Sequence, residues 1–364
     1  ISGTFGGRHK SPRPTWENVT IRNLVLQNDG PVFEGTKGGG IGIEFNNVRF
    51  ENVKFQLLGD LNNPTGYMVS PDCEGNPLEL RGAGLVFDAC EFIDNGYKTD
   101  YGLMGWRSAQ GDATFTMKDC SFTSSHPDGN YFFRPDAFGK DVGFDIYNNE
   151  FIGLEGRILL PGDDPGDPGF YREFYDNQLQ GTALWLNGGS SLKVYENDFT
   201  DVYTGMLDST IVLGACWGPT VTEQVDIYSN TFDNIDVDGI RLAHYCVYED
   251  KWTDTNPTSA TYKNVNISQN DLSGVAGVAV NNTFDTVTMT ATNNWWGAAS
   301  GPGPVGPGSG TNVSEDVDYS PWCVDSTCTS FASENAAGEI VIPESTSQAD
   351  AKAIIDSAPA GATI

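Results

Sequence analysis

The sequence predicts an all-β chain, a parallel β-helix (solenoid) of about ten coils that ends in a short helical segment. Three observations predict it. A six-residue phrase returns along almost the whole 364-residue chain, and a second apolar strand follows most copies of it. No window along the repeat keeps apolar residues at i, i+3, i+4 and i+7, so a tandem helical repeat fails.

The phrase reads Phe87-Asp-Ala-Cys-Glu-Phe92, Met117-Lys-Asp-Cys-Ser-Phe122, Ile146-Tyr-Asn-Asn-Glu-Phe151 and Phe174-Tyr-Asp-Asn-Gln-Leu179. It continues as Val194-Tyr-Glu-Asn-Asp-Phe199, Ile227-Tyr-Ser-Asn-Thr-Phe232, Ile267-Ser-Gln-Asn-Asp-Leu272 and Ala291-Thr-Asn-Asn-Trp-Trp296. Degenerate copies stand earlier, at Ile21-Arg-Asn-Leu-Val-Leu26 and Phe45-Asn-Asn-Val-Arg-Phe50. From Phe92 to Trp296 the phrase endings lie 30, 29, 28, 20, 33, 40 and 24 residues apart. A period of that size marks stacked supersecondary units.

Within the phrase, the first apolar residue belongs to a short strand whose side chains alternate in and out. The fourth position is Asn or Cys. Asn suits a corner, because its short polar side chain tolerates left-handed backbone. Corners repeated at strand spacing, roughly 4.8 Å, predict an internal amide ladder of Asn149, Asn177, Asn197, Asn230, Asn270 and Asn294, with Cys90 and Cys120 extending it as small apolar substitutes.

The second strand is often opened by Gly, as in Gly102-Leu-Met, Gly156-Arg-Ile-Leu-Leu160, Thr182-Ala-Leu-Trp-Leu186, Gly239-Ile-Arg-Leu242 and Gly277-Val-Ala-Val280. Phrase, corner, second strand and variable loop make one turn, and each turn covers its neighbour. About ten coils at strand spacing predict a rod on the order of 50 Å long. An antiparallel β-sandwich also has many short strands, but it does not repeat a positional Asn-x-Phe phrase at a near-constant period.

The last copy runs into Asn293-Asn-Trp-Trp-Gly-Ala-Ala-Ser-Gly-Pro302 and then Val317-Asp-Tyr-Ser-Pro-Trp322. This run resembles the closing coil of right-handed, single-stranded parallel β-helix repeat proteins, the pectate-lyase-like superfamily. The resemblance covers residues 15 to 325 and implies the fold, with many secreted and surface proteins among its members; it implies little about activity.

These readings place the parallel β-helix at 1–328, a linker at 329–344, and at 345–364 a helix with the start of a following module. Residues 299 to 312 are rich in Gly, Pro and Ser and read as a loop. Ser345-Thr-Ser then precedes an amphipathic helix at 348–358. A helix followed by a strand-like end resembles the N-terminal cap of another β-helix, so neighbouring modules of the same protein are expected.

A formal charge of −29 argues against nucleic-acid binding, which needs Lys and Arg to neutralise phosphates. It also disfavours an anionic membrane surface, and no run of 18 apolar residues is present for membrane insertion. The charge suits solubility in a salty or extracellular medium, while clustered carboxylates also suit divalent cations. Seven cysteines include Cys323 and Cys328 around a tight loop, and Cys216 and Cys246 about one coil apart. Disulfides at either place imply an extracellular, secreted or cell-surface location. Asn18, Asn266, Asn281 and Asn312 head glycosylation sequons.

Function is expected in the long loops at 56–84, 97–112, 123–141, 160–173, 208–224 and 243–263. Trp106, Arg107, Arg134, Arg157, Trp185 and Trp217 lie in or beside them as candidate substrate-binding residues. Strand alternation turns Ile240, Leu242, Leu184 and Leu186 inward and Arg241 and Trp185 outward. Indole faces and guanidinium forks suit an anionic polysaccharide or cell-surface glycan.

Lyases of the resembled superfamily need a base near a group that neutralises a uronate. Arg241, His244 and Tyr245 offer those types within five residues. A hydrolase needs two facing carboxylates, and Asp208 with Asp236 or Asp238 is the candidate set. Neither the paired-Asp signature of polygalacturonase-like hydrolases nor a lyase Lys/Arg motif is present. No cofactor is required; Asp163, Asp164 and Asp167 form the candidate Ca2+ loop.

Two functions follow. One is an extracellular module that binds, with or without cleaving, an acidic polysaccharide; the other is a non-catalytic surface, adhesive or spacer module of a large tandem protein.

Overall fold

The computed structural model describes residues 15–28, 33–34, 44–57, 69–70, 84–94, 104–106, 113–126, 131–135, 142–161, 172–187, 189–203, 208–214, 222–243, 245–246, 251–252 and 262–364. The chain divides into two units, Ile1–Leu192 with Trp217–Pro219 and Lys193–Cys216 with Thr220–Ile364. Each is built of parallel coils, as the repeat predicts, and one helix stands at the C-terminal end.

In the first unit the register is the repeat made physical. Ile21, Phe50, Phe87, Met117, Ile146 and Phe174 pair in turn across parallel strands, and so do Leu26, Phe55, Phe92, Phe122, Phe151 and Leu179. These are the first and last positions of successive phrases. A one-residue slip would turn every one of them to the other face, so burial fixes the register. From Phe50 onward both columns are buried, and their rings stack at 5.1 Å for Phe50–Phe87, 4.8 Å for Phe55–Phe92 and 4.4 Å for Phe92–Phe122. Each buried Phe contributes roughly 1.5–3 kcal/mol from burial, with about 0.5–1.5 kcal/mol more for a well-placed ring pair. One boundary shifts. The copy in line with Phe87–Phe92 is Phe50-Glu-Asn-Val-Lys-Phe55, while Phe45–Phe50 holds an additional corner at Asn47, which donates to Asn18 Oδ1 at 2.7 Å.

The left-handed corner residue is the third of the phrase, not the fourth. Ala89, Asp119, Asn148 and Asp176 have φ between 52° and 56°, and Glu196, Ser229, Gln269 and Asn293 between 54° and 58°. Turning the chain there leaves the fourth side chain pointing into the coil. In the first unit Cys90 N donates to Cys120 Sγ (3.3 Å), Cys120 N to Asn149 Oδ1 (2.9 Å) and Asn149 N to Asn177 Oδ1 (3.0 Å). In the second unit Asn197, Asn230 and Asn270 donate their N–H groups to the next amide oxygen at 3.1, 3.0 and 3.0 Å. The side-chain amides add parallel bonds of 2.9 to 3.0 Å. The cysteines are more than small apolar fillers. Cys120 Sγ donates to Lys118 O as Asn230 Nδ2 donates to Tyr228 O, so the thiol keeps half of the amide's pattern.

In the second unit the second strands Ser209–Gly214, Asp238–Leu242 and Val278–Asn282 align Ile211, Ile240 and Val280 in a buried column. Trp296 and Trp322 fill the closing coil, and Trp322 Nε1 donates to Ala299 O at 3.0 Å. Gly301 sits at φ 90°, where a Cβ would lie 2.6 Å from the Trp322 ring, so only Gly fits. Cys323 and Cys328 form a disulfide.

The stretch 329–344, read from sequence as a linker, carries Phe331–Glu334, which pairs antiparallel with Trp322–Cys323, and Ile340–Val341, which pairs antiparallel with Phe331–Glu334. The helix Gln348–Ser357 begins at Ser347, whose hydroxyl accepts from Asp350 N at 3.1 Å, and buries Ile354. At its far end Ser357 O accepts from Ser300 Oγ (2.9 Å) and Ser309 Oγ (2.6 Å), satisfying a carbonyl that has no partner within the helix. No helix among the described residues is long and apolar enough to cross a membrane.

Candidate functional site

The strand Asp238–Leu242 positions the best-defined of the predicted residues. Ile240 and Leu242 are buried and Arg241 lies between them, so alternation sends its guanidinium outward, where its side chain keeps 21% exposure. Arg241 Nη1 faces Asp238 Oδ2 at 3.7 Å, and Asn281 Nδ2, from the register partner of Arg241, donates to the same oxygen at 2.6 Å. Asp238 Oδ1 accepts from Val278 N at 3.0 Å. The result is a guanidinium, an amide and a carboxylate fixed to one another on the outer face of two successive strands.

Asp208 is exposed on the preceding coil, with a left-handed backbone at φ 44°, and its carbonyl accepts from Asp238 N at 3.3 Å. Asp208 and Asp238 therefore stand on neighbouring coils. Their surroundings differ: Asp238 accepts two hydrogen bonds and forms an ion pair with Arg241, whereas Asp208 faces solvent.

Two expected contacts change character. Arg157 and Trp185 pack in the first unit, on strands Glu150–Pro161 and Gln178–Asn187, and retain only 7% and 2% exposure. Trp185 is thus not an open platform for a sugar ring, although alternation turns it away from the core. An indole is large and apolar, and leaving it in water costs more than covering it. Arg157 Nη2 faces Glu155 at 3.5 Å.

The backbones of Trp106, Arg134 and Tyr245 lie on Met104–Trp106, Tyr131–Pro135 and Tyr245–Cys246, with side chains outside the described residues. Arg107, Trp217, His244, Asp163, Asp164 and Asp167 lie outside the described residues altogether, as does Cys216. Among the described residues no group of three or more His, Cys, Asp or Glu is arranged to hold a metal ion.

The sequence reading overlooked an outer strip of the first unit. Tyr147 and Tyr175, second residues of their phrases, stack at 5.0 Å, beside the in-register pair Asp145 and Glu173. Burial raises the Asp145 carboxyl above its ordinary range; its hydrogen bond to Tyr175 works against the shift and Glu173 adds to it. Burial, with Asp145 next in effect, pushes the Tyr175 phenol up to about 12. Because the two rings cover each other, they offer edges and hydroxyls rather than a face for a sugar. The signal was available in the repeated Tyr of the second phrase position.

Other basic groups are used between coils. Asp88 is shared by Arg49 and Lys118, and this hydrogen bond raises the Lys118 pKa.

Comparison with protein families, with curated proteins and with solved structures finds no match to this chain.

Proposed function

We propose that this chain is an extracellular β-helix module that holds an acidic polysaccharide against the outer face of Ser209–Gly214, Asp238–Leu242 and Val278–Asn282. The single observation that supports it most is Arg241, turned outward and held beside Asn281 by Asp238. The Arg241 side chain keeps 21% exposure, so a uronate or sulfate can reach the guanidinium. Asn281 can offer its amide to a sugar hydroxyl. The closing-coil motif and the parallel stack support kinship with the pectate-lyase-like superfamily, whose members include secreted proteins.

The second reading, a non-catalytic spacer, is favoured by the burial of Trp185 and Arg157, two residues a polymer would otherwise touch.

The test incubates the protein with alginate, pectate, carrageenan and glycosaminoglycans. Calorimetry follows binding, while absorbance of unsaturated ends and reducing-sugar release follow cleavage. Binding to one acidic polymer that drops at least tenfold in Arg241→Ala supports the proposal. Binding that ignores the substitution refutes the site, and no binding at all leaves the spacer. Products in the wild type that vanish in Arg241→Ala would extend the role to catalysis.

A further inference from the structure

We propose that Cys90 and Cys120 form a cross-linking site, at which a disulfide joins two successive coils through the interior corner column. The inference is independent of the glycan reading.

Both residues occupy the fourth position of adjoining phrases. The registers on either side, Phe87 with Met117, Asp88 with Lys118 and Glu91 with Ser121, hold them opposite each other. Neighbouring strands run about 4.7–4.9 Å apart, inside the Cα separation of roughly 4.4–6.8 Å that a disulfide spans. Both side chains are buried in one column, and Cys90 N donates to Cys120 Sγ at 3.3 Å. Each thiol has a backbone carbonyl as its partner, Phe50 O and Asp88 O for Cys90 and Lys118 O for Cys120. In the neighbouring copies, Asn149 and Asn177, the same juxtaposition is an amide pair that cannot become covalent. The described residues already include a disulfide, Cys323–Cys328, so the folded state is compatible with an oxidising compartment.

If the thiols served only as amide substitutes, either one could be Asn without consequence for the other. As a pair they can react. A small-molecule disulfide is the co-reactant. One cysteine loses its proton and attacks a sulfur of that disulfide, expelling one thiol and leaving a mixed disulfide. The second cysteine then attacks the protein-side sulfur and expels the other thiol. Two protein thiols are oxidised, and one external disulfide is reduced to two thiols. Burial pushes the Cys120 thiol far up, so in the closed stack it stays protonated and poorly nucleophilic. Reaction therefore belongs to moments when the coil opens, or to folding before it closes.

The experiment incubates the full chain with oxidised glutathione in urea below the unfolding midpoint, alkylates remaining thiols and maps peptides without reductant. The expected result is a Cys90 peptide joined to a Cys120 peptide and lighter by two hydrogens than their sum. It is absent from Cys120→Asn, which restores the residue the column uses elsewhere. Cys90 and Cys120 recovered alkylated, glutathionylated or joined to other cysteines overturn the proposal. Should Cys120→Asn fail to fold, the wild-type map decides alone.

Discussion

Asn230 accepts the N–H and the side-chain amide of Asn197 through Oδ1, and donates through Nδ2 to Val194 O, Tyr228 O and Asn270 Oδ1. It is buried, so nothing in water replaces those partners. Asn230→Ala strands the Asn197 N–H and two or more carbonyl lone pairs. An unsatisfied buried donor costs about 1–3 kcal/mol, more than the bond itself contributes. The expected loss is about 2–4 kcal/mol, read as a lower urea midpoint with little change in slope. Asn230→Cys should lose roughly half as much, because Cys120 shows that a thiol in this slot still accepts one N–H and reaches the carbonyl two residues back. Equal losses for Ala and Cys would mean that a thiol makes no useful hydrogen bond in this slot.

At the scale of elements, the coil was legible because its demands fall on residue types that chemistry restricts. Apolar groups fill the first and last positions, and an amide or a thiol joins the column, so both repeat visibly in the sequence. The left-handed corner was assigned one residue late. That position holds Ala89, Asp119, Asn148, Asp176, Glu196, Ser229, Gln269 and Asn293, eight corners sharing a backbone angle and no single side chain. Burial of Trp185 was equally hidden, since alternation gives the side of a strand and not what lies over it. Arg241 was legible from its neighbours Ile240 and Leu242, whereas its register partner Asn281 comes from 40 residues further along.

The C-terminal helix is a further element whose placement is tertiary. Only Ile354 of its residues is fully buried, while Ile355 keeps 54% exposure. Ile354→Ala removes the one apolar anchor, at about 2–5 kcal/mol for a buried Ile, and should release the bonds of Ser357 to Ser300 and Ser309. Hydrogen exchange then speeds at the amides of Ser300 and Ser309 and across the helix, while the ladder amides of Asn230 and Asn270 remain protected. Uniformly faster exchange would mean that the helix and the ladder unfold as one unit. Ile355→Ala is the control and should leave exchange unchanged.

Over the whole molecule, 49 acidic residues against 20 basic ones leave a charge of −29 that folding must gather together. Stacking worsens this locally, because parallel register sets like above like, as with Asp145 and Glu173. The Asp145 carboxyl is raised chiefly by burial, with Glu173 adding a smaller part. A folded value above the unfolded one means a contribution to stability present below the ordinary carboxylate range and lost as pH rises through the folded value. Salt acts on the same repulsion. The screening length falls from roughly 30 Å at 0.01 M to about 8 Å at 0.15 M and 3 Å at 1 M, whereas hydrogen bonds inside the column feel little of it. The melting temperature at pH 7 should therefore climb by at least several degrees between 0.01 M and 1 M sodium chloride, and the slope should shrink at pH 5, where part of the charge is already neutralised. Choline chloride should match sodium chloride if screening is the cause. Calcium chloride at equal ionic strength tests the acidic loop of Asp163, Asp164 and Asp167: a rise beyond the sodium curve at micromolar calcium shows a bound ion, and coincident curves remove calcium from the account. A melting temperature that stays flat or falls with sodium chloride would mean that net charge does not limit this fold.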